Sequence, residues 1–510
     1  MLTQAVVRGQ IIAGAEAKYT LPGVLAALVR DEIESFPALR SHQRHAWHAL
    51  LAQLGALALI HAGRDDLPED EAVWAALLRG LTPDYPNGEP WSLVAPPDKP
   101  ALLQPPLPGG QPDDLKNLVR TPDALDMLVT AKNHDLKAEV MAEAEPDAWL
   151  FALVTLQTME GFFGTGNYGI SRMNGGFANR AAVSVVPAGG PGAHLRRDIR
   201  RLLQLRGDKR FAIYPPHGGL ALVWLRPWDG TVSLRPEELD PYYIEICRRV
   251  RLIEQDGRII ARTAGSKVPR IVPIPGGVTG DPWAPVVTDK EPKVFTADAG
   301  GFGYRRMVRL MFSEDIEQAP LQRVTDDDDR EGLILLARAL VRGQGKTEGY
   351  HERRVPVSRI VLGMLGRREA ADQIAAAARH RVLLAGEIQG RVLKPALLTL
   401  FQNGDEAIDF KDKGSAGRAE PFLDRFDDIV DRDFFPRLWE EFEEGADREE
   451  VLRRWISDLL DAARALVDEA DRGASKAVKR RYRARARADA VLAAAPRRNR
   501  HLSPLVGAAP

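Results

Sequence analysis

Apolar residues recur at Ala46, Leu50, Leu54, Leu57 and Ala58 within FPALRSHQRHAWHALLAQLGALALIHAG. That is the 3.6-residue period of a packed helix, and a second helix is expected near 69–80. Between 84 and 113 (DYPNGEPWSLVAPPDKPALLQPPLPGGQPD) proline and glycine are too frequent for long helices, which predicts loops with short extended pieces. Trp91, Leu93 and Leu102 still have to be buried, so this stretch is expected to be irregular but ordered. A helix over about 145–160 (EPDAWLFALVTLQTME) then runs into a glycine-rich segment, GFFGTGNYGISRMNGG, at 161–176.

From 178 to 295 the pattern changes to short runs rich in β-branched and aromatic residues: AAVSVVP, RFAIYP, LALVWL, YYIEICRRVRLI and RIIART. Turn residues separate them, which predicts a meandering mixed sheet. After Gly303, YRRMVRLMF and GLILLARALVRGQGKTEGYHERRVPV form further elements, with a turn at 343–349. Beyond about 368 four apolar-striped helical segments follow one another through short loops, the pattern of a bundle. The expected fold class is α+β: a large mixed α/β N-terminal domain with an irregular sheet over 1–367, and a C-terminal four-helix bundle over 368–510.

The chain has 510 residues, 45% of them apolar, enough for several ordinary cores. Its start lacks the basic and apolar regions of an export signal, and no run approaches eighteen apolar residues. A cytoplasmic protein with no membrane partner is expected. A single cysteine, Cys247, can form neither an internal disulfide nor a cysteine-based zinc site; it is expected as a small buried residue on a strand. Seventy basic and 71 acidic residues nearly cancel, yet they are unevenly spread. Residues 476–500 hold ten Lys and Arg against one Asp, whereas 420–450 is acidic. Such asymmetry suits nucleic acid on one face and protein or solvent on another, and it equally suits a solvated amphipathic helix.

The segment GTGNYG is a complete G-x-G-x-x-G, but with 44 glycines in the chain roughly 0.3 such matches arise by chance. A dinucleotide site needs a strand before the glycines, a helix after them and an acid about twenty residues on. Here a helix precedes, and the acid's place falls in PAGGPG. A kinase loop fails as well, because no V-A-I-K or H-R-D pattern follows. Gly164, Gly166 and Gly169, with Asn167, Arg172 and Asn174 among them, instead combine close backbone approach with donors for phosphates or base edges. An ordered surface loop with no ligand remains the alternative. His42, His45 and His48 are spaced by three, which does not suit a helical metal pair, and they are expected to be solvated or at the edge of the core. The acidic run 326–329 lacks the alternating spacing of a calcium loop and is expected as a solvated loop and helix start. No catalytic triad, nucleophile elbow or H-E-x-x-H is present, so no catalytic residues and no metal are assigned.

Taken with MLVTAKNHDLK at 127–137 and RGQGKTEGYHERR at 342–354, the glycine segment resembles the CasA family, the large subunit of the type I-E CRISPR Cascade complex. FPALRSHQRHAWHALLAQLGALAL resembles that family's first core helix and PALLQPP its apolar loop. The resemblance implies a non-catalytic subunit without cofactor. Such a subunit recognises the protospacer-adjacent motif (PAM) in duplex DNA, begins strand separation and helps recruit a helicase-nuclease.

Residue by residue, the resemblance implies PAM contact by Gly164, Gly166, Asn167, Gly169, Arg172, Asn174 and Lys267. The turn GQGKTEG resembles a wedge hairpin, with Thr347 offset to the tip where the best-known members carry glutamine, and Gln344 and Lys346 beside it. Lys132, Asn133, His134 and Asp135 are implied contacts to crRNA or a neighbouring Cascade subunit. Lys411, Lys413 and Arg418 are implied DNA contacts of the bundle. The paired cysteines of some members are missing. Two other classes stay open: a nucleotide-cofactor enzyme using the glycine loop, and a free-standing DNA-binding regulator.

Overall fold

A computed structural model describes residues 1–11, 14–126, 144–173, 179–325, 327–328, 332–343, 346–365, 367–404, 407–472 and 478–506. The chain divides into two compact units, Met1–Phe302 with Glu314–Pro356, and Gly303–Ser313 with Val357–Pro510. The helices Tyr304–Phe312 and Arg359–Leu365 therefore group with the C-terminal unit, although both fall inside the 1–367 span.

The first unit is built on helices Leu21–Val29, Arg44–Ala62, Glu71–Gly80 and Pro146–Met159. Ala46, Leu50, Leu54, Leu57 and Ala58 are all buried, as their periodicity requires. Asp70 caps the third helix by accepting from the amides of Ala72 and Val73, the usual work of an aspartate at that position. Trp91, Leu93 and Leu102 are buried in the irregular Pro/Gly-rich stretch. Its backbone is anchored by Gln104, whose amide donates to the Leu93 carbonyl at 2.8 Å and accepts from the Leu252 amide at 2.6 Å.

Small sheets surround this core. The hairpin Arg249–Gln255 and Arg258–Ala264 turns on Asp256 and Gly257, both with positive φ, the Asp-Gly signature of a two-residue turn. Strand Leu333–Gly343 lies between Lys346–Val357 and Ala182–Pro187, antiparallel to the latter from Leu333↔Pro187 to Arg338↔Ala182.

Several expectations fail locally. RFAIYP is no strand; it holds a 3-10 turn, Lys209–Phe211, because the following Pro-Pro pair stops pairing. LALVWL keeps a strand only over Leu220–Leu222 and then becomes a 3-10 turn. The helix Gly190–Leu205 interrupts the expected meander, burying Leu195, Ile199 and Leu202; the glycines that open it mimic a loop. Cys247 is buried between two strands rather than on one, and burial pushes its thiol up to about 12. Asp328 is buried on Arg197 rather than solvated, and the next element is the strand from Leu333, not a helix. His42 and His45 are buried, and the His42 ring meets Asp126 at 2.7 Å.

Among the described residues the second unit holds four long helical segments: Arg368–Glu387 continuing through the π-helical turn Ile388–Leu393 into Lys394–Phe401, then Lys413–Glu440, Arg448–Arg472 and Val478–Arg498. Phe426, Val430, Phe434 and Leu438 line one stripe, Trp455, Leu459 and Leu466 another, and all are buried. This is the expected α+β class with a helical bundle at the C-terminal end. Among the described residues no helix is long and apolar enough to cross a membrane.

Candidate nucleic-acid interface

The helix Pro146–Met159 delivers the chain into the glycine loop. Its exit is fixed by Gln157, which is buried and accepts from the amides of Cys247 and Arg248 at 3.0 and 2.8 Å while donating to the carbonyls of Leu103 and Arg248. The loop folds back on itself through Phe163 N–H to the Asn167 carbonyl at 2.8 Å, and Asn167 N–H to the Gly164 carbonyl at 3.0 Å. Gly164 and Gly166 have φ of 97° and 86°, a region glycine enters without the steric penalty of a Cβ. A Cβ on Gly169 would stand 2.4 Å from the Gly161 carbonyl carbon. The glycines therefore serve two ends: a reversed backbone at the tip and tight closure at the neck.

Lys267 lies beside this tip. Ser266 N–H donates to the Gly166 carbonyl at 2.9 Å, the Tyr168 hydroxyl donates to the Lys267 carbonyl at 3.1 Å, and Lys267 N–H donates to the Gly230 carbonyl at 2.7 Å. Asn167 and Lys267 are both exposed. The result is a polar edge in which, among the described residues, the side-chain donors of Asn167 and Lys267 on two adjoining turns have no partner.

Underneath, the loop is held by desolvated charges. Arg248, buried, donates to the Tyr168 carbonyl and, at 2.9 Å, to the Gly161 carbonyl, which clamps both ends of the loop. Arg172 is turned inward, contrary to the expected DNA contact. Its guanidinium donates to the Tyr243 carbonyl at 2.7 Å and lies 4.5 Å over the Tyr243 ring. Buried there it supports the loop rather than facing solvent. Desolvation works against its charge, and Tyr243, Asp281 and Glu245 outweigh that, leaving its pKa raised. Glu245 accepts from the Ser171 amide and hydroxyl, and burial pushes its carboxyl up to about 7 against the pull of Arg172.

The same loop is joined to the long hairpin. Arg342, one residue before the end of strand Leu333–Gly343, reaches both carboxylate oxygens of Glu160 at 2.8 Å and stacks 4.5 Å over the Phe163 ring. Both partners are buried. Burial raises the Glu160 carboxyl above its ordinary value, opposed by Arg248 and Arg342. A charge pair that loses one member in such a site leaves the other uncompensated, so the loop and the hairpin are coupled at this point.

No family model and no curated protein matches the sequence. Solved structures do match over nearly the full length. The Thermobifida fusca Cse1 structure superposes with a TM-score of 0.64 at 16% identity, covering 99% of this chain and 98% of that one. Thermus thermophilus CasA (Cse1) gives 0.63 at 15% identity with 99% and 98% covered. The CRISPR-associated protein Cse1 from Acidimicrobium ferrooxidans gives 0.60 at 14% with 98% and 97% covered. The chain has the Cse1 fold.

Within that Cse1 fold the residues singled out by sequence, Arg172 apart, divide into four groups. Gly164, Gly166, Asn167, Gly169 and Lys267 come together as described. Lys411, Lys413 and Arg418 sit at the start of helix Lys413–Glu440, all exposed. Arg418 is occupied locally: it donates to the Phe401 carbonyl at 3.1 Å and to the Ser415 hydroxyl at 3.2 Å. Lys346 and Thr347 open the strand Lys346–Val357. Asn174, Gln344, Lys132, Asn133, His134 and Asp135 lie outside the described residues.

Two other features bear on the chemistry. The glycines stand between a helix and, further on, the strand Ala182–Pro187, the reverse of the strand-loop-helix order of a dinucleotide site. His48, His194 and Asp198 bring three candidate metal-ligand atoms together. However, the two imidazoles stack at 3.7 Å and 17°, so no ion can lie in both ring planes. Arg248, Glu245, Glu160 and Arg342 were not singled out by sequence. Their signal was present: arginines inside apolar runs such as YYIEICRRVRLI must find buried acids or carbonyls.

Proposed function

We propose that this chain is the large, non-catalytic subunit of a crRNA-guided DNA surveillance complex of the Cascade type. The observation that carries the proposal is the coupling of the glycine loop to the hairpin through Arg342 and Glu160, within a fold shared end to end with solved Cse1 proteins. In this reading the loop meets the minor groove of a PAM in duplex DNA. Asn167, Lys267 and the backbone amides near Gly164 and Gly166 offer donors to a groove whose acceptors are largely degenerate, so tolerant rather than strict sequence preference is expected. The hairpin, through Lys346 and Thr347 and, by its place in the sequence, Gln344, then enters beside the PAM and separates the first base pairs.

Guide pairing supplies the remaining specificity. The exchange of duplex for heteroduplex is nearly balanced at about 1.4 kcal/mol per step, so a local wedge need contribute only a few kcal/mol. Lys132, Asn133, His134 and Asp135 are assigned to crRNA or subunit contact, and Lys411, Lys413 and Arg418 to DNA passing the bundle. A helicase-nuclease is the recruited partner, and the cytoplasm is the site of action. In the assembled complex, Asn167→Ala with Lys267→Ala should weaken binding to PAM-bearing duplex at least tenfold while leaving a pre-opened target bound. Equal loss on both substrates refutes the PAM role.

A further inference from the structure

In the helical unit a cleft of about 810 Å³ opens beside the π-helical turn Ile388–Leu393 and the C-terminal end of helix Val478–Arg498. Arg391, Arg498, Arg500 and His501 contribute to its walls, with Val491 and Ala494 among its apolar lining. Several arginines elsewhere in this unit are matched to acids, as Arg425 to Glu469, Arg437 to Glu440, Arg464 to Asp461 and Arg485 to Asp489, and others to backbone carbonyls, as Arg483 to Asn403 and Arg487 to Gly404. At the cleft three arginines converge without such a match. Among the described residues Arg391 and Arg498 have no acidic or hydrogen-bonding partner, and Arg500 meets only the His501 ring, at 3.0 Å. All three arginines are exposed. The one carboxylate at the cleft, Glu387, accepts a hydrogen bond from the Asn499 side chain at 2.5 Å.

The backbone that presents Arg391 is itself unusual. Pro395, at the second position of helix Lys394–Phe401, has no N–H to return to the Arg391 carbonyl, and the chain widens into a π turn just before it. Such turns recur at functional sites. Like charges grouped around one cleft, with its single carboxylate, Glu387, held by Asn499, disfavour the free protein and favour a bound anion. Guanidinium forks match phosphate oxygens in pairs, and an apolar lining suits the sugar and base faces that come with them.

We infer that this cleft binds consecutive phosphates of a nucleic-acid strand. It is a second nucleic-acid surface, distinct from the glycine loop and from Lys411, Lys413 and Arg418. The inference extends the nucleic-acid reading of the protein, and its test does not pass through the loop. Binding of a fluorescein-labelled 20-nucleotide single strand to the full chain would be followed by anisotropy across a salt series. Arg391→Ala, Arg498→Ala and Arg500→Ala together should weaken binding about tenfold or more. They should also reduce the slope of log K against log salt by about 2, at about 0.7 per phosphate contact on a single strand.

The corresponding Lys triple variant should keep the slope, and Arg464→Ala, which removes an exposed arginine already paired with Asp461, should keep both slope and single-strand affinity. Unchanged affinity and slope in the alanine variant, with an unchanged melting temperature, overturns the inference. It is also overturned if inorganic phosphate or free nucleotide shifts the melting temperature in an arginine-dependent way while oligonucleotide binding does not change. Loss of loop function with this binding intact would instead count only against the PAM reading.

Discussion

The glycine loop and the C-terminal helices are stabilised by opposite means. The helices rest chiefly on apolar stripes, such as Phe426, Val430, Phe434 and Leu438, with most ion pairs at the surface and one, Arg381 with Glu441, buried. The loop has little apolar surface to bury and rests on desolvated charges: Arg248 on two carbonyls, Arg172 on Tyr243 and Glu245, and Arg342 on Glu160. Apolar burial is spread over many contacts and tolerates small changes, whereas a buried pair concentrates several kcal/mol in one interaction that fails when one member is lost. A loop built in this way keeps one conformation at the surface without being covered. It also passes any displacement to whatever shares its ions, here the hairpin.

The largest contrast is expected from removing one charge in each region. Arg342→Ala should cost about 3–5 kcal/mol because Glu160 is left buried without its hydrogen-bonded partner, facing only Arg248 at 4.0 Å, read by urea unfolding and by faster amide exchange at 161–173. Arg464→Ala removes an exposed pair with Asp461 and should change stability by no more than about 0.5 kcal/mol. Equal costs would erase the distinction between the two regions.

A smaller effect follows from Glu245. Its carboxyl is pushed from 4.5 up to about 7, so between those values the folded chain holds a proton that the unfolded chain has released. Its contribution is therefore lost as pH rises through that window, by roughly 3 kcal/mol in all at 1.36 kcal/mol per unit. Glu245→Gln should remove this part of the slope, measured as the difference in urea midpoints between pH 5 and pH 7.5. An identical slope in the variant would place the proton elsewhere.

Where apolar periodicity ruled, sequence and structure agree: the helix Arg44–Ala62, the helix running into the glycine loop and the four C-terminal segments follow from spacing alone. Elements whose local chemistry imitates another class did not. Gly189 to Gly192 suggest a loop yet open a helix, and RFAIYP has strand composition without a partner strand. At the candidate site the glycines and Lys267 were named through motif resemblance, and their proximity comes from the Ser266 amide on the Gly166 carbonyl and the Tyr168 hydroxyl on the Lys267 carbonyl. Arg172 was misplaced because a side chain's direction depends on what lies beneath it, here Tyr243 and Glu245, some seventy residues away. The Arg342–Glu160 pair spans 182 residues, and no local pattern encodes such a partner.

The central claim is that the loop reads duplex DNA and the hairpin opens it. Permanganate reactivity of thymines next to the PAM, in the assembled guide complex, tests it most directly. Alanines at Gln344, Lys346 and Thr347 should suppress that reactivity at least several-fold while initial duplex binding persists, and alanines at Asn167 and Lys267 should suppress both. Wild-type reactivity in the hairpin variant would contradict the account.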